Sequence, residues 1–71
     1  MPKPPCVSGV RIVKALRRLG FEERRQRGSH AVLRRGRDVC VVPMHREVDQ
    51  GTLRGILRQA NVTLEELVEN L

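Results

Sequence analysis

The apolar residues of this chain fall into short, regular patterns separated by polar stretches. Ile12, Val13, Leu16 and Leu19 recur at the three- and four-residue spacing of a helical face. Ser8 stands where an N-cap hydroxyl belongs, so the spacing predicts an amphipathic helix over 9–19. Arg11, Lys14, Arg17 and Arg18 fall on or near its outer side. Gly20 follows where a left-handed residue would end the helix, which turns Phe21 back onto the core. Residues 21–27 are polar after Phe21 and too short for a second buried helix, so they are expected to form an edge strand. Gly28-Ser29 turns the chain. Residues 30–35 and 39–42, rich in Val and joined by Gly36-Arg37, read as a β-hairpin, and Pro43 ends the third strand. After a polar connection over 44–50, Gly51-Thr52 opens a helix whose Leu53, Ile56, Leu57 and Ala60 share one face. Asn61 can end it in the left-handed conformation. Thr63 with Glu66 is a capping box, and Leu64, Leu67, Val68 and Leu71 repeat the helical spacing. The order helix, three strands, helix, short helix predicts an α+β fold, a three-stranded antiparallel sheet with helices on one face. Pro2, Pro4 and Pro5 mark residues 1–7 as an extended, flexible leader, and 8–71 as a single domain.

Size and charge sharpen this picture. With 71 residues and Phe21 as the one aromatic side chain, the core must be built from Ile, Leu and Val. A domain of this size buries only about 60% of the surface its unfolded chain exposes, so its stability is expected to be modest. The net charge is +6, and it is unevenly spread. Residues 24–46 hold seven Arg and one acid, Asp38, whereas 61–71 hold Glu65, Glu66 and Glu69 and no base. A one-sided basic middle is the electrostatic footprint of a nucleic-acid binder, the plainer alternative being a well-solvated surface. Cys6 lies in the leader and Cys40 in an apolar run where a buried thiol is ordinary, so no disulfide framework is indicated. No signal peptide or transmembrane run is evident, and a cytoplasmic location is expected. Neither Cys has metal-ligand spacing, and His30 and His45 lack an accompanying Cys-x-x-Cys. No metal or other cofactor is therefore expected.

The candidate chemistry centres on Arg27-Gly28-Ser29-His30. Gly28 allows a tight turn or close approach to a ligand, Ser29 offers a hydroxyl, and His30 can exchange protons near neutral pH. Arg24, Arg25 and Arg27 precede it; Arg34, Arg35 and Arg37 follow. A proton-shuttling side chain among cations suits a phosphodiester. Taken alone, the tripeptide reads first as a polar turn and second as a catalytic one. Arg24, Arg25, Arg27, Arg34 and Arg35 are candidate phosphate holders, with Arg25 and Arg27 preferred because they share a parity in an extended strand. Each could equally be a solvated charge that keeps an edge strand from aggregating. His45 is the second titratable candidate, against a plainer reading as a polar residue after Pro43. A Ser–His acyl-transfer hydrolase is disfavoured, since no orienting carboxylate or nucleophile elbow is evident.

Four blocks in order, Leu19-Gly20-Phe21, Arg27-Gly28-Ser29-His30, Val42-Pro43-Met44-His45 and residues 51–60 (Gly-Thr-Leu-Arg-Gly-Ile-Leu-Arg-Gln-Ala), resemble the HicA toxin family. These are small messenger-RNA-cleaving proteins of toxin–antitoxin pairs. The resemblance runs from about Ser8 to Leu71. It implies a fold similar to a double-stranded-RNA-binding domain, a ribosome-independent endoribonuclease with His30 as the catalytic residue, and a HicB-like antitoxin that covers the active site. Alone, the protein is expected to be monomeric, becoming oligomeric with its antitoxin, with no membrane partner. The chain departs from the family pattern at 22–27, which is wholly polar where more apolar residues are usual. RNA carries its own nucleophile, the 2′-hydroxyl, so His30 can cut without metal by acid/base chemistry, giving a 2′,3′-cyclic phosphate and a 5′-hydroxyl. With Phe21 alone available for base stacking, binding should be backbone-dominated, salt-sensitive and weakly sequence-selective. Two other readings remain at this point. One is a non-catalytic RNA-binding module of the same fold; the other is an adaptor whose basic face docks an acidic protein.

Overall fold

The computed structural model describes residues 6–71. Helix α1 (Gly9–Arg18) begins at Ser8, whose Oγ accepts from the Arg11 amide at 3.2 Å. It buries Ile12, Val13, Ala15 and Leu16. The helix ends one residue before the expected limit, with Leu19 as its cap. Gly20 takes φ +99°, the Phe21 amide donates to the Leu16 carbonyl and the Gly20 amide to that of Arg17, both at 3.0 Å. This paired closure satisfies the helix's last carbonyls and drives Phe21 into the core, as its position after Gly20 predicted.

Three strands follow, β1 (Glu22–Arg27), β2 (His30–Arg35) and β3 (Asp38–Pro43). They pair antiparallel in the order β1-β2-β3. Both connections are two-residue loops. Gly28 and Gly36 sit at their first positions with φ +55° and +60°, while Ser29 and Arg37 keep negative φ. This is the II′ pattern, which matches the twist of a hairpin. Every β1 side chain is exposed, as its polar sequence requires. On β2 and β3, Ala31, Leu33, Cys40 and Val42 point at the helices and are fully buried. His30, Val32, Arg34, Val39 and Val41 alternate onto the open face.

Helix α2 (Gln50–Ala60) starts one residue earlier than Gly51, because Asp49 rather than a later residue caps it. It packs along β3, buries Ile56, Leu57 and Ala60, and ends at Asn61 in the left-handed conformation. The Gln59 side-chain oxygen accepts from the Val41 amide at 3.3 Å, supplying a partner for the free edge of β3. Helix α3 (Leu64–Glu69) carries the expected capping box, with Thr63 and Glu66 bonding reciprocally.

Two sequence expectations change. The stripe Leu64, Leu67, Val68, Leu71 does not bury as a face. Leu67 is fully buried, but Leu64 and Val68 are 47% and 57% exposed. A six-residue helix lying against α1 at the rim of the core has room to insert one side chain only. Val7, expected in the leader, is buried and bridges to Val48, so ordered structure begins ahead of Ser8. Of the rest of that leader, Cys6 is exposed and residues 1–5 lie outside the described residues. Cys40 is wholly enclosed, and burial pushes its thiol up to about 11, which suits an inert core residue. No helix among the described residues is long and apolar enough to cross a membrane.

Candidate active site

The site is assembled by three backbone junctions. The β1–β2 loop places Gly28 in the left-handed region, and a Cβ built there would meet nothing within 4 Å, so the turn demands glycine for its dihedral and not for space. The Gln26 side-chain Nε2 donates to the Gly28 carbonyl at 3.3 Å, and the Ser29 carbonyl accepts from the Met44 backbone amide at 2.6 Å. That second bond ties the loop to the segment leaving β3. Next along the chain, the His45 carbonyl accepts from the Gly9 amide at 2.9 Å, which ties the same segment to the start of α1. Gly9 is required there. A Cβ would run into the Pro43 carbonyl oxygen and come within 2.8 Å of the Met44 Cα, both backbone atoms.

These junctions bring His30 and His45, 15 residues apart in sequence, into the lining of one cleft. It measures about 290 Å³ and is lined also by Pro43, Glu47, Val48, Asp49 and Thr52. His30 opens β2 and pairs with Arg27 on one side and Pro43 on the other. Across the cleft, Asp49 caps α2. Its carboxylate accepts from the Thr52 amide at 2.7 Å and from the Thr52 hydroxyl at 3.0 Å. These bonds, the amide first, hold Asp49 below its ordinary 3.8 and keep it a fixed anion on the cleft wall.

The five candidate arginines separate into three groups. Directly paired residues of an antiparallel ladder share a face, so Arg27 opposite His30 and Arg25 opposite Val32 stand on the open face beside the histidine. The two-residue loop sets that register; farther along it slips between Glu23 and Arg25, a bulge that leaves Arg24 as the extra residue. Arg34, four positions beyond His30, lies about 13 Å along the strand. With Arg24 it lines two hollows farther along the sheet, the second of which Arg25 also lines. Arg24 is paired there with Glu22 at 3.3 Å, the one ion pair among the described residues. Arg34 Nε donates to the Gly36 carbonyl. Arg35 is on the opposite face and built into the fold. Its guanidinium lies 4.6 Å from the Phe21 ring centroid and donates to the Leu19 carbonyl at 2.9 Å. β2 alternation turns it toward the end of α1, and it also lines one of those hollows with Arg24 and Arg34. Ser29 enters the site through its carbonyl. Sequence reasoning missed Asp49, Thr52 and Gly9. Asp49 with Thr52 three residues on is a readable N-cap signal, whereas the close approach at Gly9 leaves no trace in sequence.

A small basic α+β domain with two histidines lining one open cleft defines the class, a compact cationic domain with two titratable side chains at a single site. The model of the family described as "HicA toxin of bacterial toxin-antitoxin" matches residues 9–62. The chain belongs to the HicA toxin family, which makes it the toxin member of a toxin–antitoxin system with an antitoxin as its partner. Among curated proteins none matches it.

Proposed function

We propose that the protein is a metal-independent endoribonuclease that cuts messenger RNA, halts translation, and is silenced by a HicB-like antitoxin seated over the cleft. His30 removes the proton of the 2′-hydroxyl, and that oxygen attacks the adjacent phosphorus. The bond from phosphorus to the 5′-oxygen breaks, leaving a 2′,3′-cyclic phosphate and a 5′-hydroxyl. Arg27 and Arg25 hold the phosphates on either side of the cut and offset charge on the phosphoryl oxygens. The observation that carries this reading is the placement of His30. It lines an open cleft that His45 also lines, is paired directly with Arg27, and follows a turn whose Gly28 is left-handed.

The test is cleavage of a messenger RNA and of its all-deoxy counterpart in excess EDTA, with end-group analysis of the fragments. The expected result is cutting of the RNA alone, with cyclic phosphate ends. Fragments ending in 3′-hydroxyl and 5′-phosphate would point instead to an activated water. Binding without cutting would reduce the protein to an RNA-binding module.

A further inference from the structure

Resting on that reading, we infer that His45 is the general acid of the cleavage step, the group that protonates the departing 5′-oxygen. Breaking the phosphorus–oxygen bond releases an alkoxide, which leaves readily only if a proton reaches it as the bond opens. His30 accepts the 2′ proton in the same step, so it cannot also supply one. The other imidazole in the cleft is His45. One proton is taken at the 2′-oxygen by His30 and one is given at the 5′-oxygen by His45, so the step is balanced with no outside reagent.

The way His45 is held supports the assignment. Its backbone is fixed by the Gly9 amide, and the preceding residue, Met44, is fixed by the Ser29 carbonyl. His45 is therefore carried on an anchored segment next to the His30 strand and lines the same cleft, while the fold makes no use of its side chain in those bonds. The titratable and charged groups that share the cleft are His30 from β2, Glu47 and Asp49 from the segment entering α2. Arg27 flanks the His30 side through the β1–β2 ladder. Asp49 is already engaged by Thr52, so it serves as a fixed charge and not as a proton donor.

The experiment compares two substrates. Each is a 2′-O-methyl oligonucleotide with a single ribonucleotide, prepared with each of the four bases, so that one linkage can be cut. In the second set sulfur replaces the 5′-oxygen of that linkage. A thiolate leaves without protonation, so loss of a general acid is repaired by it. His45→Ala and His45→Asn are expected to cut the oxygen substrate 10²- to 10⁴-fold more slowly than wild type and the sulfur substrate within about tenfold of it. His30→Ala should be slow on both. Wild-type rates for the His45 variants on the oxygen substrate would overturn the inference. So would equal losses on both substrates by both variants, which would mark a merely structural role. Cutting by His30→Ala at wild-type rates would instead remove the reading beneath it.

Discussion

The two hairpin loops of the sheet have the same design and opposite fates. Arg27-Gly28-Ser29-His30 and Arg35-Gly36-Arg37-Asp38 both place a left-handed glycine first in a two-residue loop, between an arginine and a polar residue that opens the next strand. In the second loop the glycine carbonyl accepts from the Arg34 side chain of its own hairpin, and among the described residues no backbone hydrogen bond ties the loop to a later segment. The first is backed by the Pro43–His45 segment and, behind that, by the start of α1. Identical turn chemistry thus makes a plain hairpin at one end of the sheet and one wall of a cleft at the other. What a turn can do is set by what packs behind it.

The contrast can be broken most severely from behind. Gly9→Ala puts a methyl group into the Pro43–Met44 backbone, and overpacking against main chain costs about 1–3 kcal/mol. Urea denaturation should show that loss, with cleavage falling further than stability because the His45 wall is displaced. Unchanged stability would mean that α1 and this segment do not meet as described. The next effect sharpens the comparison directly. Gly28→Ala and Gly36→Ala each force a non-glycine residue into the left-handed region, at about 1–2 kcal/mol. Their melting temperatures should drop alike, yet only Gly28→Ala should slow RNA cleavage. Charge provides a third, smaller contrast. Replacing Arg25 and Arg27 by Gln should raise KM and flatten the salt dependence of RNA binding by about 0.7 per lost phosphate contact on a single strand. The same change at Arg24 and Arg34, at the far end, should leave the slope closer to wild type.

The smallest effect is a pH dependence on the cleft side. Asp49 is held below its ordinary 3.8 in the folded chain, so on acidification the unfolded chain takes up this proton first. Its stabilising contribution is therefore complete above 3.8 and is lost as pH falls through the folded value. Wild type should lose melting temperature over that acid range more steeply than Asp49→Asn, whose cap does not titrate. Parallel curves would show that the Thr52 bonds are not made in solution.

Much of this architecture was legible in the chain because it depends on local rules. The α1 stripe and its Gly20 ending, the two glycine turns, the α2 face and the Thr63 capping box each followed from spacing and from residues with a single conformational use. What escaped was set by packing between distant segments. Leu64 and Val68 carry the same periodicity as Leu67, and only the rim position of α3 decides that they stay exposed. Arg35 looks like its neighbour Arg34 until strand alternation sends it to the face that holds Phe21. The bulge at Arg24 takes that arginine out of register, and nothing in a polar edge strand announces it, whereas the shared parity of Arg25 and Arg27 was readable. That His30 opens a strand directly after a glycine turn was readable from the Gly-Ser spacing. Its sharing of a cleft with His45 and the cap of α2 was not, since that depends on bonds from Ser29 and Gly9 to a segment 15 and 36 residues further on.

The central claim, that the backed loop is the cutting end of the sheet, is tested most directly by one substitution at each loop. His30→Ala and Asp38→Ala alter equivalent positions, the residue that follows each two-residue turn. Purified wild type and both variants would be incubated with a messenger RNA in excess EDTA, with RNA binding and melting temperature measured alongside. The account predicts that His30→Ala stays folded and binds RNA but does not cut, while Asp38→Ala cuts like wild type. A folded His30→Ala that cuts at the wild-type rate would contradict it.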